Sequence, residues 1–274
     1  MHRRSVFPGF IIGLLLAGCA APGSTPYSVP LASPLVGPPA QPARAGDTFV
    51  YQMRNAYNGE LRGDVQYRVD KTDGDRAIVA VTTNSPYAGL PHTEIYTIDG
   101  NWLRHPLVNH NQVVDYDFAP LFPAYPFPLE PGKTWSMRVN ATNPLTGRMH
   151  SVRVDGAVLG GERITTPAGT FDAVKIRRRI YAGDWEGFLQ ETNIVELDWY
   201  APALGRPVRV EINSSWLDTS RSPGGGGIFG GGILRSNQLM RGDWSVFELV
   251  SYQAQGKGAG NALEVAPGTD AAPR

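Results

Sequence analysis

The sequence predicts an all-β protein whose antiparallel strands form a curved half-barrel, a barrel or a sandwich. Three observations support this class. Apolar and polar residues alternate with a period of two, β-branched and aromatic residues are enriched in the alternating runs, and Gly, Pro, Asn and Asp interrupt those runs at short intervals. Outside the first 18 residues, only residues 233–240 are predicted as a short helix.

The predicted strands cover most of the chain between residues 45 and 254. In the first half, the alternating runs are residues 48–53, 65–69, 77–81, 94–98 and 112–118. In the second half they are residues 136–141, 150–155, 172–179, 192–199, 208–213 and 244–252. Turn residues at 73–75, 99–101 and 160–162 separate neighbouring runs, so we expect hairpins between them.

A weak internal repeat divides these strands into two groups. The run Gly46-Asp47-Thr48-Phe49 is echoed about 85 residues later by Gly132-Lys133-Thr134-Trp135. Two related β-units, residues 45–126 and 127–254, would explain the echo. The alternative is that Gly-x-Thr-aromatic is a common way to open a strand. Two such units are compatible with one continuous sheet or with two domains.

The first residues resemble a bacterial lipoprotein signal. Arg3 and Arg4 precede an apolar run that ends in Leu16-Ala17-Gly18-Cys19, which resembles the lipobox of bacterial lipoproteins. The resemblance implies removal of residues 1–18 and acylation of Cys19 on its thiol and its new amino group, including palmitate-like chains. Several acyl chains together anchor a protein stably in a membrane. Ala20 stands where Asp would be the family's retention signal for the inner membrane, so the resemblance implies the outer membrane, with the body facing the periplasm.

Two other interpretations of this segment are a transmembrane helix and an ordinary cleaved signal with an incidental cysteine. A spanning helix needs about 20 apolar residues. The apolar run stops at Gly18-Cys19 and passes directly into a proline-rich stretch. The lipoprotein signal is therefore the preferred interpretation.

Both ends of the mature chain are predicted to be disordered. Residues 19–44 are rich in proline and predict an extended tether between the membrane and the body. Residues 255–274 are rich in Gly, Ala, Pro and Asp and have no periodic apolar positions.

Charge and cysteine content narrow the classes of function. The chain has 25 basic and 25 acidic residues. It therefore lacks the excess of basic residues that is typical of nucleic-acid-binding proteins. Cys19 is the only cysteine, and once lipidated it leaves no thiol for a disulfide, a metal site or a nucleophile. We predict no cofactor and no resident metal, and the sequence does not define an oligomeric state.

A second resemblance covers roughly residues 127–211. Pro167-Ala168-Gly169-Thr170-Phe171 is followed by Trp199-Tyr200-Ala201-Pro202-Ala203-Leu204-Gly205. This pair is similar to a pattern in uncharacterised bacterial periplasmic and lipoprotein families, where it forms part of an all-β domain. The resemblance implies a fold and a compartment, and no reaction. The sequence departs from the pattern at Arg206-Pro207, which leaves the pairing of the next strand open.

Two apolar features are candidate contact sites. Ile228 and Phe229 lie within the glycine-rich residues 224–232 and would form an exposed apolar tip, unless they fold back over the body. The second feature is a proline-rich stretch whose aromatic residues either line a groove or cap the core, in a connecting loop rather than a central strand. Its candidate contact residues are Phe122, Tyr125 and Phe127.

Catalytic alternatives have weaker support. A metal site could be drawn from His105, His110 and either Asp115 or Asp117, but their spacing matches no known ligand set. Glycoside hydrolysis needs two carboxyl groups about 5 to 10 Å apart. The carboxyl groups from which such a pair could be drawn are those of Asp184, Glu186, Glu191 and Glu196. The sequence contains none of the hydrolase motifs Gly-x-Ser-x-Gly, Ser-x-x-Lys or His-Glu-x-x-His.

The sequence therefore predicts a non-catalytic binding or accessory role in envelope assembly, maintenance or transport. A curved sheet with an apolar concave face could hold an acyl chain or a lipid, as lipoprotein-localisation carriers do, which this chain resembles only loosely. One alternative is a hydrolase of glycan or cell wall that uses paired carboxylates. Another is a module that docks an envelope protein through the glycine-rich residues.

The lipid anchor leads to a direct prediction. Cys19→Ala removes the acylated thiol, so the protein should leave the membrane fraction and become soluble. Fractionation of cells with a salt wash measures this. Retention of the variant after the salt wash would contradict lipid anchoring, once the uncleaved apolar segment within residues 1–18 is excluded as the anchor.

Overall fold

The computed structural model describes residues 28–37, 43–110, 112–182, 191–218 and 238–254. Within these ranges the ordered structure is β-strand, and no helix has the length and hydropathy needed to cross a bilayer. The all-β prediction is confirmed. Cys19 and its signal, the glycine-rich residues 224–232 with Ile228 and Phe229, and the predicted tail 255–274 lie outside the described residues.

Thirteen strands are present in the described residues. The first seven are β1 (Ser28–Pro30), β2 (Thr48–Asn55), β3 (Leu61–Asp73), β4 (Arg76–Thr83), β5 (His92–Thr97), β6 (Trp102–Asn109) and β7 (Gln112–Phe122). The other six are β8 (Thr134–Thr142), β9 (Met149–Thr166), β10 (Gly169–Ala182), β11 (Thr192–Ala201), β12 (Arg206–Asp218) and β13 (Gln238–Gln253).

Strands β2 to β13 form a closed antiparallel barrel of twelve strands. Each strand pairs with the next along the chain, and β13 pairs with β2 to close the ring. Of the three predicted shapes, the barrel is the one that occurs. Closure leaves no exposed edge in this ring, and the period-2 alternation places one set of side chains in the lumen and the other outside.

The echoed sequences open strands at equivalent places in the ring. Gly46 and Gly132 both adopt left-handed conformations, with φ of 92° and 84°. The Gly46 amide donates to Val69, and the Gly132 amide donates in the same way to Val158. Strand β2 opens the first six strands of the barrel and β8 opens the second six.

Part of the predicted tether is folded onto the barrel. Strand β1 pairs with Glu162–Ile164 of β9, and the Leu31 amide donates to the Gly161 carbonyl at 2.9 Å. Gly37 then bridges to Leu129, with both N–O distances 3.1 Å. The prediction of a free tether is therefore wrong for residues 28–37. Apolar residues among the prolines, such as Leu35, pack against the core and explain the docking.

Two further predictions need correction. Residues 160–162 do not separate two strands, because β9 continues through them. Gly160 has a φ of 140°, and the register between β9 and β10 shifts at this point, so the glycines form a bulge that bends one long strand. A helix was predicted at residues 233–240, of which the structure describes residues 238–240. These three residues begin strand β13, so the helix prediction is wrong for them.

Strand β12 begins at Arg206, directly after Gly205. Ala201 pairs with Arg206 and Tyr200 pairs with Pro207, and the register shifts between Trp199 and Tyr200. The strand whose pairing the sequence left open is thus paired from its first residue. A bulge absorbs the irregularity.

Candidate functional site

The barrel lumen contains a cavity of about 320 Å³, within the size range of small-molecule sites in proteins. Its walls come mainly from strands β2 to β6, β12 and β13. Most of the lining is apolar and aromatic, and includes Phe49, Tyr51, Tyr67, Val79, Val81, Tyr96, Leu107 and Phe247. These side chains occupy the inward positions of the alternating strands, which explains why a two-residue period produces an apolar chamber.

The other part of the lumen is filled by a segment that we call the plug, residues 120–129. It begins with the last three residues of β7 and contains the fully buried Phe122, Ala124 and Leu129. The Trp135 indole donates to the Pro123 carbonyl at 3.0 Å, and the Tyr125 amide donates to the Asn101 side chain at 2.8 Å. The plug packs with the large hydrophobic cluster of β6 to β11.

The proline-rich stretch was predicted to be a connecting loop, but its first part is a strand. Strand β7 continues through Pro120 to Phe122. The last residue of β7 paired with β8 is Ala119, so the missing amide of Pro120 removes no hydrogen bond between those strands.

The three predicted contact residues of this stretch have different surroundings. Phe122 is fully buried and stacks on Trp102 with ring centroids 4.4 Å apart. Phe127 is partly buried and contacts Tyr200 edge-on at 5.6 Å. Tyr125 is the one of the three whose side chain lines the cavity. Phe122 and Phe127 therefore belong to the packed part of the lumen.

Arg178 of β10 joins the plug to the barrel wall. Its side chain is 2% exposed. It donates from Nε to Glu196 at 3.0 Å and from Nη2 to Asp198 at 2.6 Å, both on β11. Its Nη1 donates to the Ala124 carbonyl of the plug at 3.2 Å. The Tyr125 hydroxyl donates to the same Asp198 oxygen at 2.5 Å, so Arg178 and Asp198 hold the plug at two points while Glu196 positions Arg178.

A second charged cluster is centred on Glu94 of β5, which is 1% exposed. His92 Nε2 lies 3.1 Å from Glu94 Oε1, and His105 Nδ1 lies 3.3 Å from Glu94 Oε2, the latter without hydrogen-bond geometry. Burial raises the pKa of Glu94, but the His105 and His92 rings outweigh it and lower that pKa to about 2. For His92, burial lowers the pKa, while Glu94 and the Leu90 carbonyl raise it to about 9.

The structure does not assemble the metal group considered from the sequence. His105 faces the cavity and stacks on Trp102 at 3.9 Å, whereas Asp117 forms a two-point ion pair with Arg104. His110 has a φ of 45°, and its amide donates to Thr192 at 2.9 Å. Within the described ranges, no group of three or more His, Cys, Asp or Glu side chains is arranged to hold a metal ion.

Of the four carboxylates considered for hydrolysis, two lie in the described residues. Asp184 and Glu186 lie outside the described residues, and Glu191 is exposed. Glu196 is buried and bonded to Arg178.

Arg206, at the start of β12, differs from the other charged residues of the cavity wall. Its guanidinium lies 4.9 Å from the ring centre of Phe49 and 4.8 Å from that of Tyr67. The side chain is partly buried, and the neighbouring Tyr51 hydroxyl donates to the Pro207 carbonyl at 2.7 Å. Its Nε is buried without a hydrogen-bond partner, and no carboxylate of the described residues forms an ion pair with it.

Sequence reasoning missed Glu94, Arg178 and Arg206 as members of the site. A usable signal exists for two of them. Glu94 is two residues before Tyr96, and Arg178 is two residues from both Ile176 and Ile180, so each charge points to the same face of its strand as these apolar side chains. A charge in such a position needs a partner inside the fold.

Comparisons with known proteins give limited information. A scan against protein-family models finds none that matches the chain, and a search of curated proteins finds no match. Two solved structures are similar. One is a candidate lipoprotein from Parabacteroides distasonis, 16% identical, with a TM-score of 0.44, covering 77% of this chain and 97% of that one. The other is a candidate exported protein with a YmcC-like fold from Bacteroides fragilis, 16% identical with the same coverages and a TM-score of 0.41. Similarity at this level does not indicate a function for this chain.

We expect shortening of the Arg178 side chain to cause a large loss of stability. Arg178→Met leaves Glu196 and Asp198 buried without their cation, so the free energy of unfolding should fall by about 3–5 kcal/mol. Urea denaturation measures this. Arg177→Met and Arg179→Met on the same strand are matched controls, because both side chains are exposed, and each should change stability by roughly 0.5 kcal/mol or less. A loss for Arg178→Met as small as that of the controls would contradict a structural role.

The Glu94 cluster predicts an alkaline pH dependence. The folded pKa of His92, about 9, is above its unfolded value, so its stabilising contribution is complete below about pH 6.5 and is lost as pH rises through about 9. Glu94→Gln removes the carboxylate that raises this pKa. NMR titration of the His92 ring should show its pKa falling by about two units or more in the variant. An unchanged pKa would show that Glu94 is not the cause.

Proposed function

We propose that this protein is a lipid-anchored outer-membrane lipoprotein, facing the periplasm, that binds a small apolar or amphipathic ligand inside its barrel and catalyses no reaction. The anchor is supported by the sequence Leu16-Ala17-Gly18-Cys19. The binding role is supported by the cavity. A role in envelope assembly, maintenance or transport would follow from holding such a ligand away from water.

The observation that carries the binding role is the apolar chamber of about 320 Å³ within a closed barrel. A fully packed interior would have filled this space, because protein cores reach the density of organic crystals. Closed barrels with an unfilled lumen hold ligands in their interior in other proteins. Aromatic side chains such as Tyr67 and Phe247 offer large contact areas to an apolar guest.

The alternative of a hydrolase with paired carboxylates has one observation in its favour. Glu94, Glu196 and Asp198 all line the cavity. Each of them is already engaged: Glu94 with two histidines, and the other two with Arg178. Carboxylates held this way stabilise the barrel and plug, so binding is the better-supported function. Docking through residues 224–232 remains a prediction on residues outside the described ranges.

Binding in the lumen can be tested by filling it. Ala77 of β4 is buried and lines the cavity, so the larger side chain of Ala77→Phe should occupy the space in which a ligand would bind. We expect the affinity for the neutral fluorescent probe N-phenyl-1-naphthylamine to fall about tenfold or more, measured by fluorescence titration. The protein used should begin at residue 20, because β1 packs on the barrel.

The matched control is Ala80→Phe, which lies on the same strand with the opposite parity and should bind the probe as the wild type does. Thermal unfolding of both variants verifies that each is folded. Equal probe binding by all three proteins would place the probe outside the lumen and contradict the proposal, as would absence of binding to the wild type.

A further inference from the structure

We propose that the ligand is a single-chain amphiphile with a carboxylate head group, and that Arg206 binds this head group. The inference rests on the proposed binding function and specifies the chemistry of its guest. It follows from the distribution of charge in the lumen, from the position of Arg206 along the cavity, and from the size and polarity of the chamber.

Three buried carboxylates of the cavity wall already have cationic partners. Glu94 lies within ion-pair distance of His92 and His105, while Glu196 and Asp198 share Arg178. Arg206 forms no such pair among the described residues. Its guanidinium faces the rings of Phe49, Tyr67 and Tyr96.

The Arg206 guanidinium has hydrogen-bonding capacity that the protein leaves unused. A guanidinium carries five N–H donors and remains charged at all physiological pH values. The partly buried Arg206 side chain faces aromatic rings, and its buried Nε has no acceptor among the described residues. A cation that has lost part of its hydration and has no ion-pair partner gains from an incoming anion. A carboxylate offers two acceptor oxygens in the geometry that the guanidinium fork matches, which makes it the complementary head group.

The position of Arg206 sets the direction in which a guest would lie in the cavity. Arg206 begins β12 and lies at the end of the barrel where β2 starts, near Phe49. Strands β2 and β6 run in the same direction as β12, and Met53 and Leu107 line the cavity near their far ends. An amphiphile bound by its head at Arg206 would therefore extend its chain along an apolar surface.

The size of the chamber selects a single chain. A volume of about 320 Å³ is at the lower end of the range for small-molecule sites. The single positive charge of Arg206 also matches a head group with a single negative charge. A free fatty acid fits both constraints, whereas a guest with two chains and a bulky head group does not.

The test compares an acid with an alcohol of the same chain length. Dodecanoate and dodecan-1-ol each compete with N-phenyl-1-naphthylamine for the protein that begins at residue 20, at pH 7.5 and low salt. We expect Arg206→Gln to weaken dodecanoate binding about tenfold or more, because a charge-assisted hydrogen bond is lost. Dodecan-1-ol binding should change by about twofold or less. Arg206→Lys, which keeps the charge, should retain part of the preference.

Arg68→Gln is the matched control. Arg68 is exposed on β3, next to Tyr67, and pairs with Asp70, so its loss removes the same charge without altering the lumen. Dodecanoate binding should not change in this variant. Thermal unfolding of the ligand-free Arg206→Gln protein gives a second readout. Its melting temperature should change little, since Arg206 forms no ion pair among the described residues and only its contacts with aromatic rings are lost.

The outcomes separate the two proposals. If acid and alcohol bind equally and Arg206→Gln affects neither, the carboxylate head group is wrong while binding in the lumen stands. If Arg206→Gln lowers the melting temperature strongly and weakens both competitors alike, Arg206 is a structural residue and the inference fails. If the wild type binds neither the competitors nor the probe, the proposed binding function itself fails.

Discussion

The buried ion cluster of Arg178, Glu196 and Asp198 is the interaction on which the internal organisation of this barrel depends. Arg178 and Glu196 are direct cross-strand partners on β10 and β11, so the register of these strands sets the geometry of the pair. From this point the cluster reaches across the lumen to the Ala124 carbonyl and the Tyr125 hydroxyl. A buried ion pair contributes little net stability relative to an apolar replacement, but loss of one partner is costly. Its effect here is to hold the plug in one position.

The need for a plug follows from the number of strands. About eight strands enclose an interior that side chains can fill, and the diameter grows with strand number. Twelve strands therefore enclose more space than their inward side chains occupy. Phe122, Ala124 and Leu129 of the plug fill one part of this space with fully buried residues. The other part remains as the cavity, and Tyr125 and Arg178 stand on the boundary between the two.

The strands were predictable from the sequence because alternation along a strand is a local property. Runs such as 48–53 and 77–81 lie within β2 and β4. Closure depends on the pairing of β13 with β2, about 200 residues apart, and no local pattern specifies such a pairing. Gly160 and Gly161 carry the composition of a turn, yet the partner strand β10 continues past them and makes them a bulge.

The same distinction applies to the candidate site. Tyr125 was identified from its aromatic and proline-rich surroundings, and it lines the cavity. Glu94, Arg178 and Arg206 were not identified, because a charge in a strand is usually exposed and only the closed lumen shows that these three face inward. Ser28–Pro30 was assigned to a tether on composition, which does not reveal that β9 extends far enough to pair with it.

The two arginines of the lumen show how one residue type takes different roles in one chamber. Arg178 meets two carboxylates and a carbonyl, so its donors are used inside the protein. Arg206 contacts aromatic faces and forms no ion pair among the described residues, so its buried Nε is left without an acceptor. Had the chamber needed only to be filled, an apolar residue at position 206 would pack against the same rings at no electrostatic cost. A cation in that position is therefore better explained by a guest that brings the missing anion.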